Sequence, residues 1–386
     1  MTKAIEIFER KLIQSGLAGA DDIRIGFLDA ELEWNAEDNA CRDLEKLFQQ
    51  LNINSLVFCR PSEPYRTMID FLADTSGKFI QPQDCESRTF LHDIPIVRRF
   101  CAEDIAEALS RRKGVIIPGR GVVTSGTVSI EQAFVTFSSV CFACYVKFLS
   151  DYLRKIQHGR LNRSWQEVFF RAQGLMEPFR SWNDVLIKGP FTSEDDILSS
   201  ILEVGRLTVE NRLVDSYFGN VSYCNGRVLY ISQTGASLDD LKGCVDPCPL
   251  DESSCAAITA SSELTAHLRI IDETRCRAIL HGHPKFSVIL SMDCDDVSCP
   301  HRGQCHIRCP RERRVCGVPV VSGEVGTGPY GLCRTVPKAI KNENGVIVYG
   351  HGVFTIGNDD FNEAFRRLQS IENACREEYF RRIRRA

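Results

Sequence analysis

The stretch AILHGHPKFSVILSM, Ala278 to Met292, sets His281 and His283 among apolar residues in a chain with only 8 histidines in 386 residues. Side chains at i and i+2 of an extended segment point to the same side, so both imidazoles can reach one point. Such a pair is half of a metal site, and by itself a weak signal. A third histidine strengthens it. VIVYGHGVF puts His351 directly after an apolar run, between Gly350 and Gly352, where the backbone can turn or approach a ligand closely. Three histidines at strand ends fit the nitrogen-rich ligand set of a catalytic zinc that keeps a position open for substrate. Manganese, iron or cobalt could use the same nitrogens.

Glu263, in ASSELTAH, precedes a helical pattern. It reads either as a first-turn acid favoured by the helix dipole or, beside a metal, as a group that moves a proton. His267 lies four residues later on the same helical face and reads as a hydrogen-bonded core or surface histidine rather than a ligand. GNVS (Gly219 to Ser222) and SQTG (Ser232 to Gly235) each offer small hydroxyls, amides and exposed backbone donors. Taken singly they are turns; together with Ser261 and Ser262 opening the next helix, they could hold a phosphate or carboxylate.

The elements that must position these groups are mixed α/β. DIRIGFLD (Asp22 to Asp29) and NSLVF read as strands and DNACRDLEKLFQQLN (Asp38 to Asn52) as a helix. SEDDILSSILEVGRLTVENRLV supplies a serine cap, early acids and a helical apolar pattern, and strands are expected around 220–222 and 228–232. A polar stretch near Trp182 to Phe191 separates a first domain, 1–185, from a second, 186–386. An internal repeat links the two. GVIIPGRGVVTSG (Gly114 to Gly126) matches GVIVYGHGVFTIG (Gly345 to Gly357) at eight of thirteen positions. With small gaps it extends back to NSLVFCRPSEPYRTMIDFL against CRAILHGHPKFSVILSM, and IPIV against VPVV. Phe58, Arg60 and Arg120 then stand where the second copy has His281, His283 and His351. Arginine has no lone pair to give a metal at cellular pH, so the first copy is expected to be metal-free.

Composition sets limits. With 47 basic and 51 acidic residues, the net charge of −4 gives no reason to expect a nucleic-acid partner, and runs such as RRIRR (Arg381 to Arg385) read as solvated surface. The N-terminal stretch lacks a long apolar core, and no window approaches eighteen uninterrupted apolar residues, so a cytoplasmic chain without a membrane partner is expected. Eighteen cysteines are expected to be reduced thiols in a chain this large with no export signal. Five of them, Cys294, Cys299, Cys305, Cys309 and Cys316, lie in an insertion at 294–316 whose spacing is not that of a paired CxxC zinc site. A structural metal, or an iron–sulfur cluster recruiting Cys244, Cys248 or Cys255, stands beside free or buried thiols as a reading. VSGEVGTGPYGL reads as a shaped loop carrying Glu324 and Tyr330.

GNVS, TG, SSEL, HGHP and GHGVF in this order resemble the class II aldolase and adducin head-domain family, which includes fuculose-phosphate aldolase and ribulose-phosphate epimerase. The resemblance covers about Phe191 to Ala386. It implies a layered α/β fold with a central, mainly antiparallel sheet, here preceded by a degenerate partial copy. It implies His281, His283 and His351 as zinc ligands and Glu263 as the acid/base. It further implies that Asn220, Thr234, Gly235, Ser261 and Ser262 hold the phosphate end of a small-molecule substrate. Adducins lack the metal residues; this chain keeps them. The activity implied is a lyase reaction, aldol cleavage through a metal-stabilised enediolate. Decarboxylation or epimerisation on the same fold, or an adducin-like binding role, are the alternatives; a cysteine-based redox protein is a further class. The resemblance also implies a homo-oligomer, with a dimer of two-domain chains as an attractive form, and a second acid/base from a C-terminal tyrosine, for which Tyr379 is available.

Overall fold

The apolar run that carries the histidines forms a strand, Ala278–Gly282, buried along its whole length. A strand covered on both faces has no polar face to alternate with, which is why the run is continuous. The computed structural model describes residues 2–177, 184–215, 217–254, 258–296, 298–324 and 327–385. The chain divides into two units, Met1–Pro178 and Phe179–Ala386. Trp182, at the expected boundary, lies outside the described residues.

In the second unit the histidine strand is fourth in an eight-stranded sheet. On one side lie Asn220–Cys224, Val228–Ser232 and Val245–Pro249, in that order outward. On the other lie Gly352–Gly357, Gly345–Val348, Val318–Val321 and Arg313–Val315. All neighbours are antiparallel except Val318–Val321 with Gly345–Val348. This is the mixed α/β architecture expected from the residue patterns, with the mainly antiparallel sheet that the resemblance implied.

Helices cover both faces. The helices Leu264–Thr274 and Leu332–Ile340 put Ala266, Ile270, Leu332, Val336 and Ile340 against Ile279, Val346, Val348, Phe354 and Ile356. The terminal helix, Phe361–Arg385, buries Phe361, Ala364, Phe365, Leu368, Ile371, Cys375 and Tyr379. Those positions recur at three- and four-residue spacing, the stripe by which an amphipathic helix meets a core. His281 shares its strand face with Ile279, so it points to the side of the Leu264–Thr274 helix, whose N-cap is Glu263.

The first unit holds a five-stranded antiparallel sheet in the order Leu32–Trp34, Ala18–Leu28, Ser55–Pro61, Gly121–Gly126, Gly114–Ile117. Its registers run parallel to those of the second unit. Ser55 faces Gly126 and Gly114 faces Thr124, as Ala278 faces Gly357 and Gly345 faces Thr355. Ile96 bridges Ile116 in parallel, as Val320 pairs with Ile347. The helix Ile130–Gln157 is long and apolar enough to cross a bilayer by length and composition, and is mostly buried within its unit, with Phe134, Phe137 and Phe148 in the core.

The helix Lys285–Met292 starts two residues after His283, with Pro284 at its N-cap and no side-chain cap of its own. The terminal helix supplies one. Glu372 accepts from the Phe286 and Ser287 amides and from the Ser287 hydroxyl, each at 2.8 Å. Burial pushes the Glu372 carboxyl above its ordinary range, opposed by those same bonds. Glu372→Ala therefore orphans two helix-start donors and is expected to cost about 3 kcal/mol, read as a lowered urea midpoint at constant slope. An unchanged midpoint would mean that water replaces the carboxylate without loss.

Candidate metal centre

Three backbone features bring the histidines together. His281 and His283 leave one side of the central strand by their i, i+2 spacing. His351 sits in the turn between Gly345–Val348 and Gly352–Gly357, where Gly350 has φ +60°. Antiparallel pairing then sets His281 opposite Phe354. The turn closes on the histidines because Gly352 has no side chain: a Cβ there would lie 2.4 Å from the Gly282 carbonyl oxygen and 2.9 Å from ring carbons of both His281 and His283.

The three imidazoles meet at Nε2. His281 Nε2 lies 3.0 Å from His283 Nε2 and 3.2 Å from His351 Nε2, and all three ligand atoms lie within 4.8 Å of one another. His281 Nδ1 is 3.0 Å from the Val353 carbonyl oxygen, which can only accept, so Nδ1 carries the proton and Nε2 is left with its lone pair. One in-plane lone pair cannot satisfy two neighbouring N–H donors. A cation relieves this. Two nitrogens held about 2.05 Å from a tetrahedral ion stand about 3.3 Å apart, close to both observed separations. The donor set therefore fits a divalent metal with three nitrogen ligands.

The surroundings favour neutral rings. All three histidines are buried. Burial lowers the His281 imidazole to about 4, and burial with its two imidazole neighbours holds His283 well below the ordinary histidine range. Neutral imidazole is the form that binds metal. The Phe354 ring stacks on His281 with centroids 3.9 Å apart, and Phe218 stacks on His283 at 5.7 Å. Those aromatic partners were not singled out in the sequence, although Phe354 stands in the GHGVF motif that was.

Glu263 is brought to the same point. Its carboxylate oxygens lie 3.6 Å from His281 Nε2 and 3.4 Å from His351 Nε2, and Asn220 Nδ2 donates to it at 2.8 Å. Burial alone would push this carboxyl up; positive charge at His281 and His351 and the Asn220 bond bring it well below the usual carboxylate range, and where the rings are neutral a bound cation would supply that charge.

The remaining members of the set are stitched together around this point. The Ser261 amide donates to the Ser232 carbonyl, the Ser261 hydroxyl accepts from the Glu263 amide, and the Thr234 hydroxyl donates to the Ala260 carbonyl. Thr234, Gly235 and Ser262 are exposed, with Gly235 at φ +73°, whereas Asn220 is buried with its carboxamide engaged at both ends by protein groups. Tyr379 is fully buried, ring against Phe286, within its own unit. That burial leaves no hydroxyl to offer a neighbouring subunit.

The cysteine readings come out differently. No described cysteine is in a disulfide. Among the described residues, the histidines are the group that gathers three or more ligand atoms this closely. Cys305 is buried and Cys316 exposed; burial first, and then the neighbouring Cys309 and Cys294 thiols, push the Cys305 thiol up. Cys255 lies outside the described residues, as do Val325 and Gly326 of the loop after Glu324. In that loop the Arg308 guanidinium lies over the Tyr330 ring.

The model of the class II aldolase and adducin N-terminal domain matches residues 199–379. Over that span the chain is similar to class II aldolase and adducin N-terminal domains. An L-fuculose phosphate aldolase of Methanococcus maripaludis is 27% identical over 184 residues, covering 47% of this chain and 96% of the relative. The crystal structure of the l-fuculose-1-phosphate aldolase of Thermus thermophilus aligns over 48% of this chain and 95% of its own, at 21% identity and a TM-score of 0.39. The matched span contains all three histidines, Glu263 and the loops around them.

Two substitutions test the centre from different sides. His281→Ala, His283→Ala and His351→Ala should each abolish stoichiometric metal in inductively coupled plasma analysis while leaving the far-ultraviolet circular dichroism unchanged. Gly352→Ala keeps every ligand but drives a methyl group into both imidazoles, so it should weaken zinc binding by at least about 10-fold. Wild-type zinc affinity in Gly352→Ala would show that the close approach is dispensable.

Proposed function

We propose that the second unit is a metal-dependent lyase that cleaves a carbon–carbon bond in a small hydroxylated phosphate or carboxylate substrate. The observation that carries this reading is the convergence of three buried imidazole nitrogens, with the Glu263 carboxylate beside two of them. His281, His283 and His351 would hold the ion, with zinc as first choice and manganese, iron or cobalt as others that take nitrogen ligands. A bound divalent ion supplies Lewis acidity toward a substrate carbonyl. Glu263 moves the proton at the reacting carbon. Its buried carboxylate, aimed by Asn220, would be kept ionised by the bound ion and so ready to accept. The exposed Thr234–Gly235 turn and Ser262, at the start of the Leu264–Thr274 helix, would receive the substrate's anionic end. Adducin-like binding without chemistry is disfavoured by the retained ligand set.

The first unit, in this reading, is a degenerate copy of the second. Support comes from the shared strand order and the matched registers. Phe58 and Arg120, at positions corresponding to His281 and His351, both pack against Phe100: the rings of Phe58 and Phe100 are 5.2 Å apart, and the Arg120 guanidinium lies 5.0 Å over Phe100. An aromatic–guanidinium stack then occupies the place of the imidazoles.

Glu263→Gln keeps the shape of the side chain and removes the proton acceptor. With metal in excess it should still hold one ion per chain, while turnover falls about 100-fold or more. The substrate panel should follow aldehyde, carbon dioxide and epimer separately. Near-normal single-turnover cleavage by the metallated variant would remove Glu263 from the chemistry. Carbon dioxide or epimer as the sole product would move the assignment to the corresponding reaction. Metal analysis should return one divalent ion per chain at the histidines; a further ion that survives loss of both the three histidines and the insertion's cysteines would contradict a metal-free first unit.

A further inference from the structure

Behind the metal centre four buried side chains stand in single file. The Ser222 hydroxyl oxygen is 2.7 Å from His267 Nδ1, His267 Nε2 is 2.6 Å from Asn220 Oδ1, and Asn220 Nδ2 is 2.8 Å from Glu263 Oε2. None of the four is more than 7% exposed. The arrangement follows from two periodicities. Asn220 and Ser222 are i and i+2 on one strand and share a face; Glu263 and His267 are i and i+4 at the start of one helix and share a side. Facing each other, they form a square with His267 bridging both strand residues.

The donors along this file have one direction. Asn220 turns its amide nitrogen toward Glu263 Oε2 and its carbonyl oxygen toward His267 Nε2. A carbonyl oxygen only accepts, so His267 Nε2 carries the ring proton. Nδ1 is then bare and takes the hydroxyl proton of Ser222. Every donor points toward Glu263. The His267 ring is neutral, its imidazole lowered by burial to about 3.

We propose that Ser222 and His267 are positioning residues for Glu263: acting through Asn220, they lock the amide that holds the carboxylate against the His281–His351 pair. Without the ring N–H on its oxygen, the Asn220 carboxamide is free to rotate and present its own oxygen to Glu263, two acceptors face to face. The inference rests on the reading of Glu263 as the proton-transfer group, but its geometry can be tested without a substrate.

The test uses the full chain with zinc as the only ligand. Long-range proton–nitrogen spectra of histidine-labelled protein should show His267 as the neutral Nε2–H tautomer at neutral pH. His267→Leu should weaken zinc binding about 10-fold in competition with a chromophoric chelator, the effect typical of losing an outer partner of a metal site. His267→Gln, whose amide can donate from the Nε2 position, should stay within about 3-fold of wild type. If His267→Leu fails to fold, Ser222→Ala against Ser222→Thr provides the same contrast, because only threonine keeps the hydroxyl. A charged His267 or an Nδ1–H tautomer overturns the proposal. So does equal zinc affinity in the Leu and Gln variants, or in the Ala and Thr variants. Full turnover by Glu263→Gln would sink the role of Glu263 in the chemistry, and the tautomer and zinc results would still decide whether the file positions its carboxylate.

Discussion

The approach of Gly352 to the Gly282 carbonyl is the constraint on which the metal centre depends. Two strands carry the ligands, and the imidazoles meet only if the turn holding His351 lies against the backbone between His281 and His283. A single methyl group at position 352 would be too close to that carbonyl and to both rings. The stacked Phe354 ring, the Val353 carbonyl and the antiparallel register then follow from the same close contact. Each fixes one freedom of His281: ring plane, tautomer and height along the strand.

Around this contact the burial of charge is balanced. Taking a carboxylate out of water is costly unless donors or positive charge replace the lost hydration. Glu263 has the Asn220 amide on one oxygen and imidazole nitrogens within 3.4 and 3.6 Å. His281 and His283 are held below the ordinary histidine range by the same burial. A site so arranged has a lone-pair cluster with too few protons and a carboxylate with its outer partners already in place. Both conditions suit a divalent cation. Glu372 plays the corresponding part for the backbone, since it satisfies the helix that begins directly after His283 and so anchors that ligand from the opposite face of the sheet.

Much of the site was legible because its logic is local. The i, i+2 histidines, the glycine-flanked third histidine and the carboxylate before a helix all depend on short-range periodicity and turn chemistry. Strands at Ala18–Leu28, Asn220–Cys224 and Val228–Ser232, and the capped helices beginning at Asn39 and Glu194, followed from the same rules. What escaped was non-local. His267 was readable as a hydrogen-bonded histidine on the face of Glu263. Its partners Ser222 and Asn220 lie more than forty positions away in sequence. Asn220 was assigned to an anionic substrate from its motif, whereas its carboxamide is engaged at both ends inside the protein. The cysteine-rich insertion left a structural metal or cluster beside free or buried thiols, because spacing that matches no paired CxxC site does not say how a segment of turns arranges its sulfurs.

The sequence by itself determined the ligand types, the spacing that puts two of them on one side of a strand, and the apolar stripes that bury the sheet, because these depend on backbone periods of two and 3.6 residues. Only the tertiary structure decided that His351 meets the other two, that Gly352 must be bare, that Asn220 turns its amide toward Glu263, and that Tyr379 is enclosed. Those outcomes depend on strand order and register across segments some seventy residues apart, as in the pairing of Leu280 with Thr355. Register is set by the packing of the whole core rather than by any short motif, since a slip of one residue would turn every side chain to the opposite face.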